Sequence, residues 1–395
     1  VGTDVLDSVE LTGALADRGR FARLSPGLAR LALALLALVL VASMIAPTAK
    51  PGNRSPWEGA VEGPVDAQGQ AVVSQAKPYD EDIALYEVAI ARIQKGENYY
   101  HFIVPEQRGR NYPVNPGIAV RLPTLAYLDA MLGERGQMVA AMMLMLGIVA
   151  VWWRRLGEDG ENGGRVQRLG AAMVFVGASL QLNRHYFVLH ELWAGGLIVL
   201  SFGLHRIGRD GQGGRWVAAF LTAALALAIR ELTLPYVLLM AAFALWNRNW
   251  RESAAWITLV AVFFAGLAWH LSIIAKDVLP SDPHGPPWLV LRGMAGWLVN
   301  VVQSSNLRWL PHFLAGPAVV LMTFGWLGWR SRSGLAGFLL CAGYGVAFMI
   351  AGRWDNFYWG AMIAPVMFAG LVFAPRALAQ LVAAATLRQA QGERG

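Results

Sequence analysis

LALALLALVLVASMIA, Leu31 to Ala46, carries no charge, and its one polar side chain is Ser43. A run this apolar has no face to offer water. A helix that crosses a bilayer needs about 20 mostly apolar residues, and this run reads as the first such span. Arg18, Arg20, Arg23 and Arg30 precede it, as they would in a signal peptide or an uncleaved anchor. The stretch before it is long and also holds Asp4, Asp7, Glu10 and Asp17, which favours the anchor. Further apolar runs fall at about 136–153, 169–183, 191–205, 216–229, 234–247, 254–274, 310–329, 335–351 and 358–375. With the first run they make about ten. The expected fold is all-α and polytopic, with about ten transmembrane helices and juxtamembrane helices outside the membrane.

The composition agrees. Of the 395 residues, 56% are hydrophobic and only 15% charged, against roughly 45–50% and about 25% in a soluble domain. That excludes a disordered chain and an ordinary cytosolic enzyme. The formal charge of +7 is spread through short loops between apolar runs, so it does not form a nucleic-acid-binding patch. A single cysteine, Cys341, excludes an intrachain disulfide and a cysteine-based metal site.

Arginines in the short loops set the orientation. With the N-terminus inside, eleven lie in short inner loops, from Arg154 to Arg332, and three in short outer turns: Arg184, Arg230 and Arg353. The chain then divides into a cytoplasmic N-terminus with the first helix (1–47), an extracytoplasmic segment (48–135), six helices (136–274), an outer loop (275–309), and three last helices with a cytoplasmic tail (310–395). The outer segment opens on a Pro/Gly-rich linker, and residues 117–132 suit an interfacial helix. The expected location is the plasma (inner) membrane.

Ionisable residues inside apolar sequence are costly and suggest function. Here they gather at the outer turns: Arg184-His185, then His190-Glu191; Arg230-Glu231; and Arg353-Trp354-Asp355, followed by Tyr358 and Trp359. Each pairing of base and acid also suits a salt bridge pinning two helix ends. Three on one face point to a shared cavity for an anionic lipid head group, because guanidinium forks grip phosphate.

The acids Asp80-Glu81-Asp82 open a helical stretch in which Ile83, Tyr86, Ile90 and Ile93 form one seam. Asp82 lies nearest that seam; Asp80 and Glu81 suit an N-terminal cap. Asp82, Tyr86, Gly96, Asn98 and Tyr100 read D-x3-Y-x9-G-x-N-x-Y. This pattern, just outside a first transmembrane helix, resembles the first outer segment of the GT-C superfamily of membrane glycosyltransferases. The nearest in character are the polyprenyl-phosphate-sugar-dependent mannosyl- and arabinosyl-transferases. Tyr112-Pro113-Val114-Asn115-Pro116-Gly117 with Arg121-Leu122-Pro123 resembles their next segment. The likeness covers about 45 residues. The chain departs from the families in its long 48–77 linker and in having three consecutive acids; the spacing to Gly96 favours Asp82 as the family aspartate.

The resemblance implies an inverting sugar transfer on the outer face, from a polyprenyl-phosphate-linked sugar to a hydroxyl on a lipid, glycan or protein. Asp82 would be the base, with Asp80 as its alternative. Arg230, Arg353, and Arg184 or His190 would bind phosphate, beside Glu191 and Glu231. Tyr86, Tyr358 and Trp359 would pack on sugar or lipid. Asp282, His284, Trp288 and Trp297 would close over the acceptor, with 288–302 as an interfacial helix. No cofactor is implied; the acids and His190 include donor types for a divalent metal, but no ligand spacing points to one. The glycine-rich stretches 157–164 and 208–214 lack a Lys-Ser/Thr and follow helices, so they are loops rather than phosphate cradles. The methionines of 138–145 read as core, and His270 as a hydrogen-bonded core residue. A transporter would need broken helices with midplane charges. A non-catalytic lipid-binding protein of the same fold is the other alternative.

Overall fold

The computed structural model describes residues 19–49, 81–158, 160, 162–207, 215–282, 285 and 287–386; of Glu81 and Asp82 it describes only the backbone. Every regular element among the described residues is helical. In chain order the α-helices are α1 (Pro26–Ile45), α2 (Glu81–Gln94), α3 (Tyr99–Gly109), α4 (Thr124–Gly157), α5 (Gly164–Ala178), α6 (His190–Leu204) and α7 (Val217–Ile229). Then come α8 (Leu234–Trp246), α9 (Trp250–Ile274), α10 (Gly293–Gln303), α11 (His312–Gly325), α12 (Arg332–Ile350), α13 (Ala364–Leu371) and α14 (Ala374–Thr386). A 3-10 segment, Trp354–Met362, precedes α13.

Among the described residues, four helical stretches are long and apolar enough to cross a membrane: Pro26–Ile45, Gly117–Gly157, Trp250–Ile274 and Arg332–Ile350. In α1, Ser25 caps the first turn by accepting from the Leu28 N–H, and Pro26 stands where its missing N–H costs nothing. Leu31, Leu35, Leu38 and Val41 then project outward, exposed. Such an apolar exterior suits hydrocarbon rather than water.

Three expectations need correction. The 358–375 run is not one straight helix: it divides into the 3-10 segment and α13, which meets α14 at an angle of 57°. The methionines of 138–145 are not core as a group. Met145 is buried, but Met138, Met142 and Met143 are exposed, since a bilayer accepts apolar side chains on the outside as readily as the core does. The interfacial helix expected at 288–302 is α10, and it is central, with Trp297 to Val302 all buried.

The break expected between an interfacial helix and the next span falls at Gly133. Its φ of +63° and ψ of 176° divide α4 in two, a conformation open almost solely to glycine. In α2, Ile83 is buried against Val188 and Leu189, while Leu85 and Ala89 are buried in a different cluster with Tyr99 and Ile103. The helix is therefore wedged between two neighbours, where a single seam was expected.

The two ends of the bundle have different partners. At one end Arg20 donates to the carbonyls of Trp329 and Arg330, and Arg155 to the Ser333 hydroxyl. Glu158 draws together Arg154, Arg206 and Arg215 there, and His205 meets Glu252 at 2.6 Å. At the other end Gln303 donates to the Thr48 carbonyl and Tyr344 to the Leu232 carbonyl. The loops read as inner thus meet one another, and so do the turns read as outer. The glycine-rich stretch 208–214, the 48–77 linker beyond Ala49, the acid at Asp80 and the His284 side chain lie outside the described residues.

Candidate functional site

The motif residues of the first outer segment build the frame of the site. Gly96, at φ +88°, ends α2, and its N–H donates to the Ile93 carbonyl. Asn98 caps α3, its side chain accepting from the Tyr100 N–H at 3.0 Å. The Tyr100 hydroxyl lies 3.1 Å from Nδ1 of His270, whose Nε2 lies 3.1 Å from the Val120 carbonyl. A carbonyl only accepts, so Nε2 carries a proton. In the neutral ring Nδ1 then accepts from Tyr100. Next along, the Tyr99 hydroxyl donates to the Arg121 carbonyl at 2.8 Å. Burial raises the Tyr99 phenol above its ordinary value, which keeps it a donor. Two side chains thus clamp the backbone that presents Arg121.

Arg121 begins a chain of alternating charges. Its Nε donates to the Tyr86 hydroxyl at 3.2 Å, and its Nη1 lies 3.7 Å from Oε1 of Glu231. Glu231 also accepts from Arg230, which stands at the C-terminus of α7, fully buried, with Nε 2.8 Å from Oε1 of Glu191. Glu191 and His190 open α6 and are both buried. Being adjacent on a helix they diverge: Glu191 meets Arg230, while His190 lies edge-on to the Tyr86 ring, centroids 4.9 Å apart. Two arginines and two glutamates from three segments balance one another here.

Across from this network stands Arg353. Its backbone N–H donates to Asn356 Oδ1 at 3.1 Å, and its carbonyl accepts from Arg292 at 3.1 Å. Arg292 is buried and also donates to Asn300 and to the Phe348 and Ala351 carbonyls, capping the end of α12. The Arg353 guanidinium has no carboxylate partner among the described residues, and its Nε is buried without a hydrogen bond. Arg353, Arg121, Tyr86, Tyr358, Asn356, Gln107 and Trp288 line one hollow of about 490 Å³ of empty space, counted out to its mouth. A second, largely apolar hollow of about 800 Å³ adjoins it at Tyr358 and includes Ile83, Leu189 and Arg308.

The 275–292 loop is strapped over this end. Arg108 grips Asp282 through Nε at 2.5 Å and Nη2 at 2.8 Å. That contact, with the Leu279 N–H, lowers the Asp282 carboxyl to about 2. The Gly285 N–H donates to the Asn115 carbonyl, and the Gly352 N–H to the Trp288 carbonyl.

Of the residues expected from sequence, Tyr86, His190, Glu191, Arg230 and Glu231 come together, with Arg353 and Tyr358 across the hollow. Three placements differ from expectation. Arg230 is locked between two carboxylates and does not reach the hollow, so the arginines that line it are Arg121 and Arg353. Arg184 is exposed and pairs with Glu134 at 3.1 Å, away from the rest. Trp359 packs in the central core. The backbone of Asp82 sits in the first turn of α2, one turn before Tyr86, and Asp80 lies outside the described residues. No group of three or more His, Cys, Asp or Glu among the described residues is placed to hold a metal ion. Sequence reading met Arg121 in the Arg121-Leu122-Pro123 stretch and gave it no role, and it missed Arg292, Gln107 and Asp129. No protein-family model, curated protein or solved structure matches the chain.

Proposed function

We propose that the chain is a membrane glycosyltransferase of the GT-C type. It moves a sugar from a polyprenyl phosphate to a hydroxyl acceptor, with inversion, on the extracytoplasmic face of the plasma (inner) membrane. The observation that carries this reading is the hollow shared by Arg353, Arg121, Tyr86 and Tyr358. It holds a guanidinium that no carboxylate among the described residues neutralises, beside a helix whose first turn bears Asp82. An unneutralised arginine at such a place suits a phosphate, which accepts two parallel hydrogen bonds from it. In the reaction Asp82, or Asp80, takes the acceptor proton as the new C–O bond forms. The bond from the anomeric carbon to phosphate oxygen breaks, and its electron pair leaves with the phosphate. Arg353 and Arg121 hold the charge that builds there. Tyr86 and Tyr358 offer ring faces to the sugar.

About ten spans accord with this reading if the shorter apolar helices also cross. His190–Leu204, Val217–Ile229, Glu231–Trp246 and His312–Gly328 have 13 to 17 residues, or roughly 20–25 Å at 1.5 Å per residue. A locally thinned bilayer accommodates such lengths.

The transporter reading draws on the bend between α13 and α14. The residues at that bend, Val372 and Phe373, are apolar, whereas a transport site in a broken helix sets ionisable groups beside the freed backbone. The test is turnover in native membrane vesicles, which supply acceptor hydroxyls, with decaprenyl-phosphate-linked mannose, arabinose, glucose and galactose, read as release of decaprenyl phosphate. The wild type turns over at least one of them and Asp82→Asn none. Full turnover in both Asp82→Asn and Asp80→Asn would end the enzymatic reading at this site. Binding without turnover in the wild type would favour a non-catalytic lipid-binding protein.

A further inference from the structure

Asp129 lies on α4, four residues before the Gly133 break, and is 1% exposed. Neither of its carboxylate oxygens has a hydrogen-bond partner among the described residues. A buried carboxyl without a partner is costly, by several kcal/mol in general, and such groups persist where something else justifies them. The carboxyl is not stranded in packed hydrocarbon. It lines a narrow pocket, together with Tyr86, Arg121, His190 and Gln107, whose enclosed room of about 20 Å³ admits one small polar group. Gln107, 4% exposed, has a side-chain carbonyl that also lacks a partner.

This pocket and the Arg353 hollow share four lining residues: Leu85, Tyr86, Gln107 and Arg121. They adjoin: Arg353 lines only the hollow, Asp129 only the pocket, and Arg121 and Gln107 line both. The pocket therefore calls for a group that can donate to these acceptors, beside a His190 ring that also has no hydrogen bond among the described residues. Arg121 and His190 line the same pocket, which disfavours a cation there. A neutral hydroxyl group meets this chemistry and is small enough to enter.

We propose that Asp129 and Gln107 form the floor of the sugar subsite, accepting hydrogen bonds from a hydroxyl of a sugar whose phosphate is held at Arg353 and Arg121. This assignment rests on the phosphate reading given above. It makes Asp129 a specificity-determining residue rather than a proton acceptor for the reaction. A site built to bond a hydroxyl discriminates strongly against ligands that lack it, because its own buried groups are then left unpaired.

The test is a binding titration in nanodiscs, comparing bare decaprenyl phosphate with decaprenyl-phosphate-linked mannose, arabinose, glucose and galactose. The wild type binds at least one glycosylated lipid about tenfold or more tightly than the bare lipid. Asp129→Leu removes that preference, Asp129→Asn reduces it, and both bind bare decaprenyl phosphate within about twofold of wild type. Gln107→Met, at the second acceptor, reduces the preference independently and serves if an Asp129 variant does not fold. Equal binding of bare and glycosylated lipid by the wild type would overturn the sugar floor alone, as would an intact preference in Asp129→Leu or, should that variant not fold, in Gln107→Met. No binding of bare decaprenyl phosphate by the wild type would instead overturn the phosphate reading, and this inference with it.

Discussion

Arg230 has no exposed surface and two carboxylates against it, Glu191 and Glu231, so Arg230→Ala strands Glu191 in a buried setting and leaves Glu231 only Arg121. Breaking a buried pair by removing one partner costs about 3–5 kcal/mol. The expected result is a large drop in the unfolding temperature of the purified protein, with loss of ligand binding as a consequence. Arg353→Ala removes a guanidinium that pairs with no carboxylate among the described residues. Its unfolding temperature should stay near wild type, and a thermal melt of the two variants side by side checks the contrast. The sequence made both arginines visible for the same reason: a base in an apolar run is expensive and stands out. It could not separate their roles, because the partner that immobilises Arg230 is Glu191, distant in sequence and brought close only by the packing of α6 on α7. Asp129 and Gln107 were hidden differently. Each is a single polar residue near a helix end, where polar residues are common, and only burial shows that they lack partners.

Among the elements, the apolar runs marked most helices to within a few residues, because a span must be apolar along its length. They failed where membrane burial and core burial look alike. Met138, Met142 and Met143 face outward and Met145 inward, yet nothing in their hydrophobicity distinguishes them. Local chemistry was legible at Gly96 and Asn98, which make the turn between α2 and α3. Gly133 is the strictest local requirement. Gly133→Ala places a Cβ on a backbone at φ +63° and ψ 176°, at a cost of about 1–3 kcal/mol, and should lower the unfolding temperature. An unchanged melt would mean the two halves of α4 can join as one continuous helix. The Arg108–Asp282 latch gives a pH signature. Asp282 is lowered to about 2 when folded, against about 3.9 for a free aspartate. The latch therefore stabilises fully above about pH 4–5 and is lost as pH falls through about 2. Wild type should melt above Asp282→Asn at neutral pH, and the gap should close as the buffer is taken from about pH 4 toward about pH 2. A gap that persists unchanged at the acid end would assign the stabilisation to packing.

Over the whole molecule, Arg20, Arg155 and Glu158 make their contacts among the loops read as inner, and Tyr86, Arg121 and Arg353 line a hollow among segments read as outer. The arginine bias is an expectation of which end faces the cytoplasm, and direct measurement tests it. Cys341 is the only cysteine and is buried, so the wild type should resist a membrane-impermeant maleimide. A cysteine introduced at Leu279, which is 48% exposed, should label from outside intact cells, and one at Arg154, with a side chain 70% exposed, only after the cells are opened. The reverse pattern would put the hollow on the cytoplasmic side.

The central claim, that this hollow receives a lipid-borne phosphate, is tested most directly by titrating the purified protein with decaprenyl phosphate and with decaprenol, by native mass spectrometry, for wild type and Arg353→Ala. A lost charge-assisted contact costs about 1.5–3 kcal/mol, so the phosphate should bind wild type well above the alcohol and lose about tenfold or more in affinity in Arg353→Ala. Equal binding of phosphate and alcohol, or an Arg353→Ala variant that binds the phosphate as wild type does, would contradict the account.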